Sequence, residues 1–94
     1  MKEHLAHYVD LHKEHVYKVV RQPDREQVLW RFPNGYGASV SSNAITHHVA
    51  ELAVVKFRGE NEYDLVYDTG ITSDVIPYIG VSETNMTLER IKNL

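Results

Sequence analysis

The spacing of apolar positions changes several times along the chain. Leu5, Tyr8, Val9, His12 and Val16 fall on one side of a 3.6-residue wheel, while Lys2, Glu3, Asp10, Lys13 and Glu14 mostly lie elsewhere. That spacing predicts a helix over about residues 3–14. In "VYKVVR" the β-branched and aromatic residues predict a strand. The Pro-Asp pair of "QPDREQ" predicts a turn. The period then becomes two: Val28, Trp30 and Phe32 alternate, and so do Tyr36, Ala38 and Val40.

Between those two sets lies "WRFPNGYGASV", and its turn chemistry selects a register. A two-residue Asn34-Gly35 loop would pair Trp30 with Ser39, put the two apolar sets on opposite faces, and ask Pro33 for an N–H that it lacks. A type I turn centred on Pro33 and Asn34, with Gly35 left-handed in a bulge, removes both conflicts. It pairs Phe32 with Tyr36, Trp30 with Ala38 and Val28 with Val40, all on one face. Gly37 then sits opposite Arg31 on the other face. A glycine there marks a bulge, or close approach by another backbone or a ligand.

"SSNAITHHVAE" reads as a loop or one helical turn, with Asn43 able to cap it. "ELAVVKF" is a strand with Ala53, Val55 and Phe57 on one face; "RGENE" turns, and "YDLVYD" returns with Tyr63, Leu65 and Tyr67 on one face. The expected pairs are Phe57 with Tyr63, Val55 with Leu65 and Ala53 with Tyr67. Leu52, Val54 and Val66 make the other face apolar too, which predicts a central hairpin covered on both sides. Thr72, with Ile71 and Ile76 in staple positions, predicts a helix that Pro77 and Gly80 hold to about two turns. Ser82 opens a last helix carrying Met86, Leu88, Ile91 and Leu94. The sum is a single α+β domain over residues 1–94. It is an antiparallel sheet of four to five strands built from two hairpins, packed by an N-terminal helix and two short C-terminal helices.

Composition narrows the class of protein. With 94 residues there is room for one core. The net charge of −3 lacks the basic excess of a surface that coats nucleic acid. There is no cysteine, hence no disulfide, thiolate metal site or thiol nucleophile. "MKEHLAHYVDLHKEH" has no apolar core of a signal peptide, and no apolar run reaches the roughly 20 residues of a membrane helix. These features suit a cytoplasmic protein.

Six histidines are the one oddity of composition. His4, His7 and His15 would share about one quadrant of the predicted helix, and imidazoles so placed can bind zinc or nickel. Neither "HLAH" nor "HKEH" is an H-E-x-x-H motif, so the expectation is no metal site. His47 and His48 lie near Ser39, Ser41 and Ser42, and Asp68 or Asp74 could orient a histidine base. No G-x-S-x-G elbow brings such groups together, so no catalytic residue is assigned. "NGYGAS" lacks the Lys and the following helix of a phosphate-binding loop. A nucleotide could still stack on Trp30, Tyr36 or Tyr63 beside Arg31. Glu60, Glu62, Asp64, Asp68 and Asp74 surround the second hairpin without the ligand spacing of a calcium loop.

"WRFPNGYGASV", "ELAVVKF" and "YDTGITSDVI" together resemble an uncharacterised family of small bacteriophage and prophage proteins, over roughly residues 28–94. The chain departs from that pattern at "ITHHVA", where a Tyr-Gly-Gly-like turn is expected. The resemblance implies phage or prophage origin and a bacterial cytoplasm, and it carries over no catalytic residues. The leading expectation is therefore an accessory protein that binds a host or phage protein stoichiometrically, inhibiting a host enzyme or an anti-phage defence. A nucleotide- or metabolite-sequestering protein is the alternative, followed by a virion or regulatory component and then by a histidine-dependent enzyme. The expected recognition patch is Arg31, Tyr36, Gly37, Ser39, Ser41, His47 and His48. No cofactor, membrane or main nucleic-acid partner is expected, and homo-oligomerisation stays open.

Overall fold

The structure, a computed structural model, describes residues 5–43 and 49–94. Five antiparallel strands follow one another across the sheet in chain order: β1 (Val16–Gln22), β2 (Arg25–Arg31), β3 (Tyr36–Asn43), β4 (Glu51–Phe57) and β5 (Tyr63–Leu65). A short β6 (Ile76–Pro77) pairs with β4 beyond the end of β5, and one helix, α1 (Val81–Lys92), closes the chain. This is the α+β architecture read from the sequence, with changes at both termini.

The central hairpin has the register that its turn chemistry requires. Val28 pairs with Val40 and Trp30 with Ala38, and the Phe32 N–H donates to the Tyr36 carbonyl at 2.8 Å. Gly35 donates to the Phe32 carbonyl at 3.0 Å and has φ of 88°, the left-handed value that a side chain would oppose. One face of the sheet thereby presents Val28, Trp30, Phe32, Ala38, Val40, Leu52 and Val54 to a single core with Leu88 and Ile91 of α1. Ser42 and Thr84 sit in that interior with hydroxyls that have no hydrogen-bond partner among the described residues. Each such group costs about 1–3 kcal/mol relative to a satisfied one.

The same turn holds the helix. The Asn34 side-chain amide donates from Nδ2 to the carbonyls of Ile91 (2.9 Å) and Lys92 (3.2 Å), while its Oδ1 accepts the Tyr36 N–H (3.0 Å). Carbonyls that a helix leaves unpaired at its C-terminus are thus satisfied by a side chain from the sheet. At the other end, the Glu83 carboxylate accepts the Gly80 N–H at 3.4 Å, so the residue that caps α1 is Gly80 and not Ser82.

The expected N-terminal helix does not form. Residues 5–12 run as successive turns, followed by one 3-10 turn at Lys13–His15, and His12 has a positive φ of 43° that ends any helical path. Leu5 and Tyr8 still enter the core, since turns closed by three-residue backbone bonds keep them on one side. Side-chain bonds replace helical ones: Trp30 Nε1 donates to the Leu11 carbonyl (2.7 Å), the Tyr8 hydroxyl to the Ile79 carbonyl (2.6 Å), and the Leu5 N–H to the buried Glu26 (3.1 Å).

The first of the two expected C-terminal helices is absent as well. Thr72 makes a local turn with Asp74, and Ile76 is held in the sheet opposite Leu52. The β4–β5 pairing of Phe57 with Tyr63 and Val55 with Leu65 is present, but Ala53 does not pair with Tyr67. The chain leaves the sheet after the Val66 N–H meets the Val54 carbonyl, returning only at β6. β5 is therefore an edge and not part of a covered central hairpin. In α1, Leu88 and Ile91 are buried with Thr84, while Met86 is exposed, as is Leu94 just past the helix. The segment read as a loop or helical turn begins as strand, because Ser41, Ser42 and Asn43 extend β3; residues 44–48 lie outside the described residues.

Two sets of substitutions probe this framework. A Cβ on Gly37 would lie 1.9 Å from the Trp30 carbonyl oxygen, whereas one on Gly59 meets nothing within 4 Å. In urea titration Gly37→Ala should cost about 3 kcal/mol or more by forcing β2 and β3 apart. Gly35→Ala should cost about 1 kcal/mol through backbone strain alone, and Gly59→Ala should stay within about 0.5 kcal/mol. Asn34→Ala should cost about 1–2 kcal/mol. Asn34→Asp should cost more than the alanine, because a carboxylate would face the negative end of α1; equal losses would show that the amide does not cap the helix.

Candidate functional site

The alternation that fills the core sends every other residue to the second face of the sheet. Gln27, Leu29 and Arg31 come from β2, Gly37, Ser39 and Ser41 from β3, and Ala53, Val55 and Phe57 from β4. That face divides into two halves. Near the Pro33 turn it is roofed. A bulge between Val16 and Lys18 inserts Tyr17, whose ring packs against Phe57 at 5.4 Å. The Tyr17 hydroxyl donates to the Glu60 carbonyl, with the Asn61 side chain 2.6 Å away. The Arg31 guanidinium lies 4.6 Å from the Phe57 ring centre and 5.8 Å from that of Tyr17, and Nη1 donates to the Glu60 carbonyl at 3.1 Å. Residues 58–62 are thereby tied to β1 and β2, and Tyr17 and Tyr63 pack against the buried Leu29, Val55 and Phe57.

Away from that roof the face carries short polar side chains. Arg25 donates to Gln27 Oε1 (2.9 Å), and Gln27 Nε2 donates to Ser39 Oγ (2.8 Å), linking neighbouring strands in one chain. Ser41, half-buried, pairs with Gln27 on one side and Glu51 on the other. Among the described residues no helix covers this strip, because α1 and the N-terminal segment both pack on the opposite face.

The expected patch is thus placed in part. Arg31, Gly37, Ser39 and Ser41 share one face, and Arg31 is committed to the aromatic roof. Tyr36 belongs to the core side, half-buried, with Lys56 Nζ 5.4 Å from its ring centre. His47 and His48 lie outside the described residues. Gly37 is approached by the Trp30 carbonyl and by the Phe57 ring, whose Cε2 would lie 3.0 Å from an added Cβ. Trp30 is fully buried and offers no stacking surface, and Tyr63 packs on Phe57 at 5.6 Å. Ser42 points into the core, away from Ser39 and Ser41. Tyr17, Gln27 and Phe57 were not among the expected site residues. Phe57 was readable from strand parity, whereas the bulge that turns Tyr17 onto this face leaves no mark in the sequence.

The electrostatics are uneven. Residues 59–89 hold seven acidic residues and no Lys or Arg, and five of the seven lie between β4 and α1. At its start Arg58 binds Glu62 (2.9 Å) and Asp64 (2.6 Å); these bonds, that to Asp64 foremost, raise the arginine pKa further. Exposed Glu14 is held below the usual carboxylate range, first by a hydrogen bond from its own backbone N–H and then by nearby His15 and His12. His12 Nε2 is 3.6 Å from Glu89 Oε2, and the His12 and His15 rings meet the edge of Phe32. His7 is exposed, and among the described residues no three His, Asp or Glu side chains are grouped to hold a metal ion.

Comparison with protein-family models, with curated proteins and with solved structures finds no match for this chain. Among the described residues no helix is long and apolar enough to cross a membrane.

Tyr8 gives a pH-dependent handle on the N-terminal segment. Its phenol is held above the ordinary 10.0, chiefly by burial and then by the negative charge of Glu83. The folded protein therefore keeps this proton longer than the unfolded chain. Its contribution is complete below pH 10.0 and disappears as pH rises through the folded value. Tyr8→Phe should lose about 1 kcal/mol near neutral pH, from the bond to Ile79. It should also flatten the fall of unfolding free energy above pH 10.0; an alkaline limb identical to wild type would refute the assignment.

Proposed function

We propose that the protein acts by stoichiometric binding of a protein partner through the uncovered half of its second sheet face. In this reading it is an accessory protein of phage or prophage origin, working in the bacterial cytoplasm by blocking a host enzyme or a defence complex. The observation that supports binding is a polar strip at the centre of the sheet, where half-buried Gln27 and Ser41 present hydrogen-bonding groups and Ser39, itself buried, is bonded to Gln27. Small side chains let a partner backbone approach closely, and strands hold their spacing better than loops would. The resemblance over residues 28–94 supports the origin.

Two features favour a protein partner over a nucleotide. Trp30 is enclosed, and the Phe57 ring is already in contact with Arg31, so these flat surfaces are used within the fold. The strip itself offers amides and hydroxyls bonded to one another, and among the described residues no histidine and carboxylate face each other across it. Catalysis would ask for such a pair with an orienting group.

The test combines capture from an expressing host, native mass spectrometry of what is recovered, and melting temperature. Ser41→Arg should lower affinity for the recovered partner by about tenfold or more at unchanged melting temperature. Asp10→Ala, exposed in the N-terminal segment, should change neither. Undiminished affinity in Ser41→Arg would place the binding surface elsewhere.

A further inference from the structure

The excursion of the chain between β5 and β6 runs beside α1 and leaves an open groove of about 730 Å³. Thr69, Gly70 and Ile71 form its loop side. On the helix side Met86 is 67 % exposed, and Leu94, two residues past the end of α1, is 43 % exposed, leaving apolar surface beside a 12-residue helix that buries only three side chains. We propose that this groove is a two-fold interface between two copies of the chain, with α1 packed antiparallel against α1 of the second copy.

The residues of the helix wall argue for this occupant. A two-fold axis passing between Glu89 and Arg90 sets Glu89 opposite Arg90 of the second copy, and Arg90 opposite its Glu89. It also sets Met86 opposite Asn93, and Asn85 opposite Leu94. All six of these residues line the groove, so the wall maps onto itself. An isologous contact needs that property, and every pair then occurs twice. The charges point the same way. Adjacent negative and positive groups on one lip complement themselves under the two-fold, whereas they offer little net field to a strongly basic or acidic partner.

Packing is consistent with the charges. Met86 stands beside the hollow that holds Ile71, so each copy brings an unbranched, adaptable side chain to the hollow of the other. About this axis residues 87–92 of the two helices lie side by side, about 9 Å of shared helix, and Met86 and Asn93 extend the contact on either side. Because α1 covers the core side, both uncovered sheet faces point away from this contact. The dimer leaves the proposed binding strip free on each copy, and its test does not depend on that strip.

Sedimentation velocity on the full chain, over a range reaching about 200 µM, reads the outcome together with melting temperature. The expected result is a mass that rises toward two chains. Glu89→Arg and Arg90→Glu should each weaken the dimer about tenfold or more by setting like charges together, and the two combined should restore it. Met86→Lys should weaken it to a similar degree at unchanged melting temperature. A single-chain mass throughout the range would overturn the proposal. So would a dimer that ignores Met86→Lys and both charge changes, or a charge swap that fails to restore association.

Discussion

The parity of one hairpin governs most of this molecule. Side chains alternate strictly along a strand, so a slip of one residue between β2 and β3 would send Val28, Trp30 and Phe32 to opposite sides from Tyr36, Ala38 and Val40. The turn at Phe32–Tyr36 removes that choice. Pro33 has no N–H to give to a ladder, Gly35 accepts a left-handed backbone, and Asn34 ties its own loop through the Tyr36 N–H. With parity settled, Val28, Trp30, Phe32, Ala38 and Val40 fall together on the core face, and Gln27, Leu29, Arg31, Gly37, Ser39 and Ser41 fall together on the other. Asn34 then carries the consequence to the far end of the chain, because its amide nitrogen caps α1. Local turn chemistry and tertiary docking meet in a single side chain.

Parity also explains which parts were legible in the sequence. The registers of β2 with β3 and of β4 with β5 follow from alternation plus turn residues, both local quantities. The N-terminal segment shows the limit of such reasoning. Its apolar residues have helical spacing, yet an isolated stretch of about 12 residues gains little from helix formation. Here Trp30 takes the Leu11 carbonyl, and Glu26 takes the Leu5 N–H. Those partners are 19 and 21 residues away, and no window along the segment contains them. Ile76 fails as part of a helix for a similar reason: the outer edge of β4 beyond Leu65 offers it an open ladder position, which Leu52 supplies.

The site divides along the same line. That Arg31, Gly37, Ser39 and Ser41 share a face is readable from the period of two, and so is the placement of Tyr36 on the other. That Arg31 is stacked depends on the bulge at Tyr17 and on the return of residues 58–62, which are non-local. The groove beside α1 was wholly illegible, since one wall is an excursion that reads as a helix. Met86 and Leu94 continue the apolar pattern of Leu88 and Ile91 in the sequence, yet both are exposed. The core instead takes Thr84 at that turn, although its hydroxyl finds no partner there. Position relative to β3 outranks side-chain polarity when only one face of a short helix can be covered.

Gly37 connects the core to the open surface. Its missing side chain is required first by the Trp30 carbonyl, which fixes how closely β2 and β3 approach. It is required a second time on the outward side, where the Phe57 ring settles against the bare backbone. Seated there, Phe57 gives Arg31 a flat surface, and Arg31 and Tyr17 together draw the Glu60 carbonyl inward. That pull sets where residues 58–62 turn, and so where β5 begins. The boundary between the roofed and the uncovered halves of the face is thus placed by a glycine. Ser39 and Ser41 lie two and four residues further along the same strand, where Ser39 is buried and bonded to Gln27 and Ser41 is half-buried. An open recognition surface and a closed aromatic cluster can then share one sheet face without a helix separating them.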